Sequence, residues 1–554
     1  MTAINTHTDL LAQGRLIPDL LHAEPGLHID YETIDTALVF AFAGSTSGSL
    51  FADALQNYTL PSSTWDPAGF VEDLFLQDFV RSCFQVQLGN NFAALPIPHL
   101  VRLLSAAPSA LETVNFRRTI VSELLDQPEL RENLSKLYRA LVRFRAHLEG
   151  ASAADKWDPN RRQLEILARF AEVVEILSRD FASAQSGLSR LNEFGKRVAQ
   201  GESFAALQDL LRYDENLATL RFQMSVGADG RIREMKLLSL EENEGNPFVV
   251  SPLRRWLAKF ELFLRGFRFG DGEVMARLLD AVYEGVRAEF VALVQLCADV
   301  EFYLGALGFH QRATTAGLSL CLPDLDSAQS PREILGLFNP LLLGAGITPV
   351  PCDIQTDRHE STLLVTGPNS GGKTRLLQAI GLSQVLAQAG LFVPAKKARL
   401  ALAPALVVSL IQEVRVDQTE GRLGMELLRI RSLFERLPPG AMVILDELCS
   451  GTNPSEGEEI FELVVRMLAL LTPQAFITTH FLTFAARLQQ QAKIPNLRFL
   501  QVVLGSDDRP TYQFASGVAQ TSLAGQAAAR LGVTGEQLLA LIEKKVAQSN
   551  HGKG

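Results

Sequence analysis

Residues 363–374, Leu-Leu-Val-Thr-Gly-Pro-Asn-Ser-Gly-Gly-Lys-Thr, carry side chains and glycines that suit a chain of phosphates. Leu363, Leu364 and Val365 read as a buried strand, Gly367 to Gly372 as a loop, and Arg375 to Leu391 as a helix. This is the spacing G-x-x-x-x-G-K-[ST] in the strand–loop–helix setting of a phosphate-binding loop. Glycines let successive backbone N–H groups turn toward one anion, and the helix that follows adds its positive end. The predicted cradle is Gly367, Pro368, Asn369, Ser370, Gly371, Gly372, Lys373 and Thr374. Lys373 can reach the β- and γ-phosphates, and the Thr374 hydroxyl can ligate Mg²⁺.

Further along the chain, Val443-Ile444-Leu445-Asp446-Glu447 is an apolar run ending in two acids. In phosphate-loop ATPases the Mg²⁺-holding Asp sits at such a strand end. Asp446 is therefore expected to bind the metal directly or through water, and Glu447 to polarise the attacking water as a general base. Ile477-Thr478-Thr479-His480-Phe481 is another strand end, from which His480 can hydrogen-bond the γ-phosphate or the attacking water. Loss of that contact after hydrolysis would sense nucleotide state. The polar stretch Ser450 to Gly457 is longer than a plain strand-to-helix connection and is expected to face a second subunit.

The elements that hold these residues alternate. Strand-like runs at 363–365, 406–411, 442–445 and 475–478 are interleaved with helical segments at 375–391, 424–437, 456–471 and 483–490, which favours a largely parallel sheet with helices on both faces. Upstream, residues 1–100 are mixed, and from about Pro98 to Leu210 apolar residues recur at helical spacing. The period then changes to two. Leu220, Phe222, Met224 and Val226 alternate, Gly227 to Gly230 supplies a turn, and Ile232 to Leu240 returns as a second strand. Helical spacing resumes from Leu253 to about Leu307, and Ser327 to Pro331 reads as a linker.

Composition sets outer limits. The chain has 554 residues, enough for two to four domains, and a net charge of -10, which argues against tight general nucleic-acid binding by overall electrostatics. Five scattered cysteines without a C-x-x-C pair argue against a disulfide framework or a zinc site and suit a reducing cytosol. The N-terminus lacks the charged and apolar regions of a signal peptide, and no apolar run near 18 residues stands out, so no membrane association is expected.

Taken together, these residues resemble the MutS family of ABC-type ATPases. The stretch Thr366 to Thr374 is similar to that family's phosphate loop. Gly390 to Ala395, Asp446-Glu447-Leu448 with Ser450-Gly451-Thr452, Thr479-His480-Phe481, and Gly517-Val518-Ala519 with Ser522 and a terminal helix pair are further marks. The resemblance implies a multidomain protein. Residues 1–100 lead into the core, 101–330 form an α-helical lever with a β-containing clamp tip near 218–240, 331–522 form an α/β P-loop ATPase domain, and 523–554 form a dimerising helix–turn–helix and tail. It implies ATP and Mg²⁺ as ligands, a homodimer, a cytoplasmic location, and DNA, in a structure-dependent way, as the partner at the clamp. Arg221, Arg231, Arg233 and Lys236 are candidate phosphate contacts there, or else exposed hairpin charges.

The departures are as informative. Too few residues precede the lever-like helices for the family's mismatch-reading and connector domains, and Phe170-Ala171-Glu172 falls inside a helical segment, so mismatch reading is not expected. The chain ends near residue 550 without the nuclease-like tail of another paralogue group, so no nuclease activity is expected either. In the signature region, Asp417, Gly421 and Glu426 suit the pattern, but Leu423 stands where Ser is expected, and Arg422 can supply charge to a partner's phosphate instead. The competing expectation is a mechanical or scaffold ATPase that acts on a protein partner rather than DNA.

Overall fold

The structure is a computed structural model and describes residues 17–44, 48–89, 91–150, 159–214, 218–226, 232–242, 271–410, 422–449, 453–506, 509–520 and 533–551. The chain forms two compact units. One comprises Met1–Leu60, Val86–His99 and Glu112–Gly305, the other Pro61–Gln85, Leu100–Leu111 and Ala306–Gly554.

The first unit is mainly helical. Its elements include α1 (Tyr31–Phe42), α2 (Pro128–Glu149), α3 (Pro159–Asp180) and α4 (Ser189–Ala199). Helix α2 starts on Pro128, whose missing N–H costs nothing in the first turn, and buries Leu130, Leu134, Leu137, Leu141, Phe144 and Leu148 at helical spacing. Phe170 of the Phe-Ala-Glu sequence lies in α3. Its ring stacks on Phe290 with centroids 4.7 Å apart, and Glu172 pairs with Arg143. The predicted hairpin is present as the antiparallel strands β1 (Ala218–Val226) and β2 (Ile232–Glu242), paired through Leu220–Leu240 and Met224–Met235. Arg221, Arg233 and Lys236 lie on these strands, whereas Arg231 and the turn lie outside the described residues.

Helix α5 (Asp271–Thr315) corrects one expectation. Met275–Thr315 is long and apolar enough to cross a membrane, and its most apolar stretch is 94% buried inside the protein. An apolar surface all round a helix is what a core position demands. Scattered polar residues such as Gln295, Asp299 and Glu301 hide the run in the sequence, and all three are buried.

Glu301 carries a measurable consequence. Burial raises its carboxyl from 4.5 to about 7, while the Tyr138 hydroxyl donates to its Oε1 at 2.9 Å. A carboxyl whose folded value lies above its unfolded one stabilises the fold below about pH 4.5, and that contribution is lost as pH rises through 7. Glu301→Gln keeps a neutral acceptor for Tyr138. It is expected to abolish this dependence and to stabilise the protein at pH 8 by roughly 3 kcal/mol, read by denaturant unfolding across pH.

The second unit holds two sheets. A four-stranded sheet has the order β3 (Asp324–Asp326), β7 (Lys397–Ala401), β4 (Arg332–Leu337), β5 (Cys352–Thr356). Residues 327–331, read above as a linker, therefore join two strands of one sheet. Ser330 donates to Asp326 at 2.8 Å within that turn. The larger sheet has the order β8 (Leu406–Ser409), β9 (Met442–Leu445), β10 (Gln474–Thr478), β6 (Thr362–Thr366), β11 (Leu497–Leu504), β12 (Pro510–Ser516). It is parallel from β8 through β11 and antiparallel only at β12. Strands β6, β9 and β10 are buried along their whole length, as covered parallel strands must be. Helices α6 (Lys373–Gln388), α7 (Arg422–Arg436), α8 (Pro454–Leu470), α9 (Leu482–Gln491) and α10 (Gly535–His551) fall where the helical segments were expected. All five cysteines are free.

Candidate functional site

In a parallel sheet every strand ends at the same edge, and chain segments that leave neighbouring strands there meet. The order β9-β10-β6 puts three expected site segments side by side: 446–447 after β9, 478–480 after β10, and 367–374 after β6. The pairs Leu445–Ile477 and Thr478–Val365 fix their level.

The loop after β6 is built from glycine for steric reasons. Gly367 has φ 138°, and Gly372 caps α6 in the left-handed region at φ 83°. A Cβ on Gly367 would lie 2.7 Å from Val502 Cγ2, and one on Gly371 2.8 Å from the same atom. The loop thus packs against β11 as bare backbone. Asn369 and Ser370 are exposed at its tip. Lys373 is buried, and its Nζ donates to the carbonyls of Gly367 (2.9 Å) and Pro368 (3.1 Å) and to Asn369 Oδ1 (3.4 Å). Burial lowers its pKa from the usual lysine value, and the Glu447 and Asp446 carboxylates oppose that shift.

The two acids are held differently. Thr374 Oγ1 donates to Asp446 Oδ2 at 2.6 Å, and Thr478 Oγ1 donates to Asp446 Oδ1. Asp446 therefore joins the first turn of α6 to the end of β10. The Glu447 amide donates to Thr478 Oγ1 at 2.8 Å, and Glu447 itself sits at φ 49°. A left-handed non-glycine residue costs on the order of 1–3 kcal/mol and persists only where its surroundings enforce it. His480 is exposed at the rim, with its ring 4.2 Å from Phe481, and no hydrogen bond joins it to Lys373, Asp446 or Glu447 among the described residues. Residues 450–452 and 417–421 lie outside the described residues. Leu423 and Glu426 fall on the first turns of α7.

Some neighbours of this site leave no mark in the sequence. Thr478 is one, since hydroxyl residues at strand ends are common. Tyr512 is another. It sits at φ 60°, and a Cβ on Gly372 would lie 3.1 Å from its Cδ1. With Phe514, Val350, Arg375 and Leu376 it lines a cavity of about 310 Å³ that begins at Gly372. Gly517 to Ala519 return to the same region, where the Ala519 amide donates to Thr366 Oγ1 at 2.9 Å.

A family model described as MutS domain V matches residues 363–549, the segment that carries all of these groups. This segment is a MutS domain V. Among curated MutS-family relatives, the Endonuclease MutS2 of Thermus thermophilus is 34% identical over 317 residues, covering 56% of this chain and 40% of that protein. The Endonuclease MutS2 of Streptococcus thermophilus is 24% identical over 446 residues, covering 74% and 54%. That of Streptococcus pneumoniae is 25% identical over 442 residues, covering 74% and 53%. The chain thus spans about half the length of the MutS2 proteins it matches.

Proposed function

We propose that this chain binds and hydrolyses ATP in a homodimer and couples the nucleotide state to clamp-like binding of DNA. The observation that carries the ATP reading is the contact of Thr374 Oγ1 with Asp446 Oδ2, 2.6 Å across 72 residues of chain, beside a buried lysine and a glycine-rich loop. A hydroxyl and a carboxylate oxygen are the hard donors that Mg²⁺ selects, so Thr374 and Asp446 fit as its protein ligands. Mg²⁺ bound with ATP would neutralise charge on the phosphates. Backbone N–H groups within residues 369–374 and the Lys373 ammonium bind and orient the phosphate chain. Glu447 accepts the proton of the attacking water at its carboxylate. His480, exposed at the rim, contacts the γ-phosphate or that water. The cavity lined by Tyr512 and Phe514 takes the base.

Pairing of two copies is supported by α10, which exposes Leu538, Leu539, Leu541 and Ile542, each more than 40% accessible. The clamp reading is supported by the hairpin β1–β2 with its basic residues. Five free cysteines suit a cytoplasmic setting. The nuclease activity in the relatives' names belongs to proteins about twice as long as the matched part.

Fluorescence anisotropy with duplex, mismatched and four-way DNA, at several salt concentrations and with or without ATP, tests the proposal. Binding that responds to ATP and weakens steeply with salt is expected, because phosphate contacts release counterions. Absence of binding below micromolar protein at low salt would remove DNA as the partner. It would favour a protein ligand, which the net charge of -10 suits better.

A further inference from the structure

The first unit contains a second cluster of ligating side chains, far in sequence from the glycine-rich loop. Asp19, His22 and His28 bring one carboxylate oxygen and two ring nitrogens within 4.8 Å of one another. The His22 and His28 rings stack with centroids 3.5 Å apart, so both present a nitrogen to the same carboxylate.

A carboxylate offers about four lone-pair positions. The backbone takes three of them: Asp19 Oδ1 accepts from the amides of Leu21 (2.9 Å) and His22 (3.2 Å), and Oδ2 accepts from the Gly26 amide (3.1 Å). One position on Oδ2 remains, and two imidazoles face it, His22 Nδ1 at 3.1 Å and His28 Nε2 at 3.0 Å. His22 Nδ1 also lies 3.1 Å from Oδ1. Hydrogen bonding therefore supplies one acceptor too few, whereas a single cation between the three atoms would satisfy both rings through one oxygen lone pair. Tetrahedral zinc with bonds of about 2.0–2.2 Å spaces its ligand atoms about 3.4 Å apart, within a few tenths of an ångström of the two oxygen–nitrogen separations.

The surrounding side chains hold the ligand loop as a built site does. Arg190 of α4 donates to the carbonyls of Asp19 and His22, both at 2.8 Å, and to that of Ala23. Gln295 of α5 accepts from the His28 amide at 2.6 Å and donates to the Gly26 carbonyl at 3.0 Å. Asp19 is fully buried, while the His22 and His28 side chains keep 12% and 20% exposure, which leaves an entrance for an ion. We propose that Asp19 Oδ2, His22 Nδ1 and His28 Nε2 form a binding site for a divalent transition metal of the zinc class, with water in the remaining position, that fastens residues 19–28 into the first unit.

The test is a titration of the chelator-treated full chain with Co²⁺, followed by its visible absorption, and with Zn²⁺ against a chromophoric chelator. The wild type is expected to take up one equivalent per chain at these residues, with the absorption of tetrahedral Co²⁺, and Zn²⁺ is expected to raise its unfolding midpoint. His22→Ala and His28→Ala should each lose that equivalent. His28→Gln is the discriminating variant, because its amide can still donate to Asp19 but does not ligate zinc. It is expected to stay folded by circular dichroism and to lose both the equivalent and the Zn²⁺-induced shift. A wild type that binds neither ion at micromolar concentration would overturn the proposal, as would variants that keep the wild-type stoichiometry.

Discussion

Glu447→Gln is expected to lower ATP turnover by about 10²–10⁴-fold while ATP remains bound, the range associated with loss of a general base. The substitution is a narrow one. Gln has the size of Glu, keeps the backbone amide that donates to Thr478 Oγ1, and makes no new demand on the left-handed conformation at φ 49°. It removes the proton acceptor and one negative charge near Lys373. Phosphate release in a single turnover and nucleotide retention on a filter separate the two effects. Undiminished release would take Glu447 out of the base's role and leave its backbone geometry as its contribution.

Lys373→Ala is expected to weaken ATP binding by roughly ten- to a hundredfold, the equivalent of one charge-assisted hydrogen bond of about 1.5–3 kcal/mol. The fold should not suffer in parallel. The Lys373 ammonium is buried against carbonyl oxygens of its own loop, and burial disfavours its charged form. Alanine removes that desolvated cation and is a better helix former at the start of α6. Equilibrium binding of a fluorescent ATP analogue reads the first effect and thermal unfolding the second. An unchanged affinity would contradict the phosphate role of the loop, whereas a lost fold would show that the lysine is structural.

The glycine-rich loop and the acidic strand end were legible in the sequence for local reasons. Only glycine tolerates the approach of residues 367 and 371 to Val502, and buried parallel strands must be apolar throughout, so both leave compositional marks. Long-range pairing leaves none. That β10 lies between β9 and β6, and that Thr478 therefore reaches Asp446, depends on contacts between segments over 30 residues apart. Tyr512 and Phe514 sit on the antiparallel end strand, whose partly exposed residues look like ordinary surface. Asp19, His22 and His28 lie in a stretch without secondary structure, where no period marks a ligand set. The apolar run of α5 is hard to see in the sequence because buried polar residues with partners interrupt it.

The Thr478 hydroxyl has one proton and two obligations. It gives that proton to Asp446 and takes one from the Glu447 amide. Any event that turns the hydroxyl away from Asp446 also alters the hydrogen bond on that amide, so rearrangement at the acid is written into a backbone N–H that exchanges with solvent. The Glu447 amide should therefore behave as a clock for the site in deuterium labelling, slow while the relay is closed and fast when it opens. Thr478→Val would leave that clock running free of Asp446.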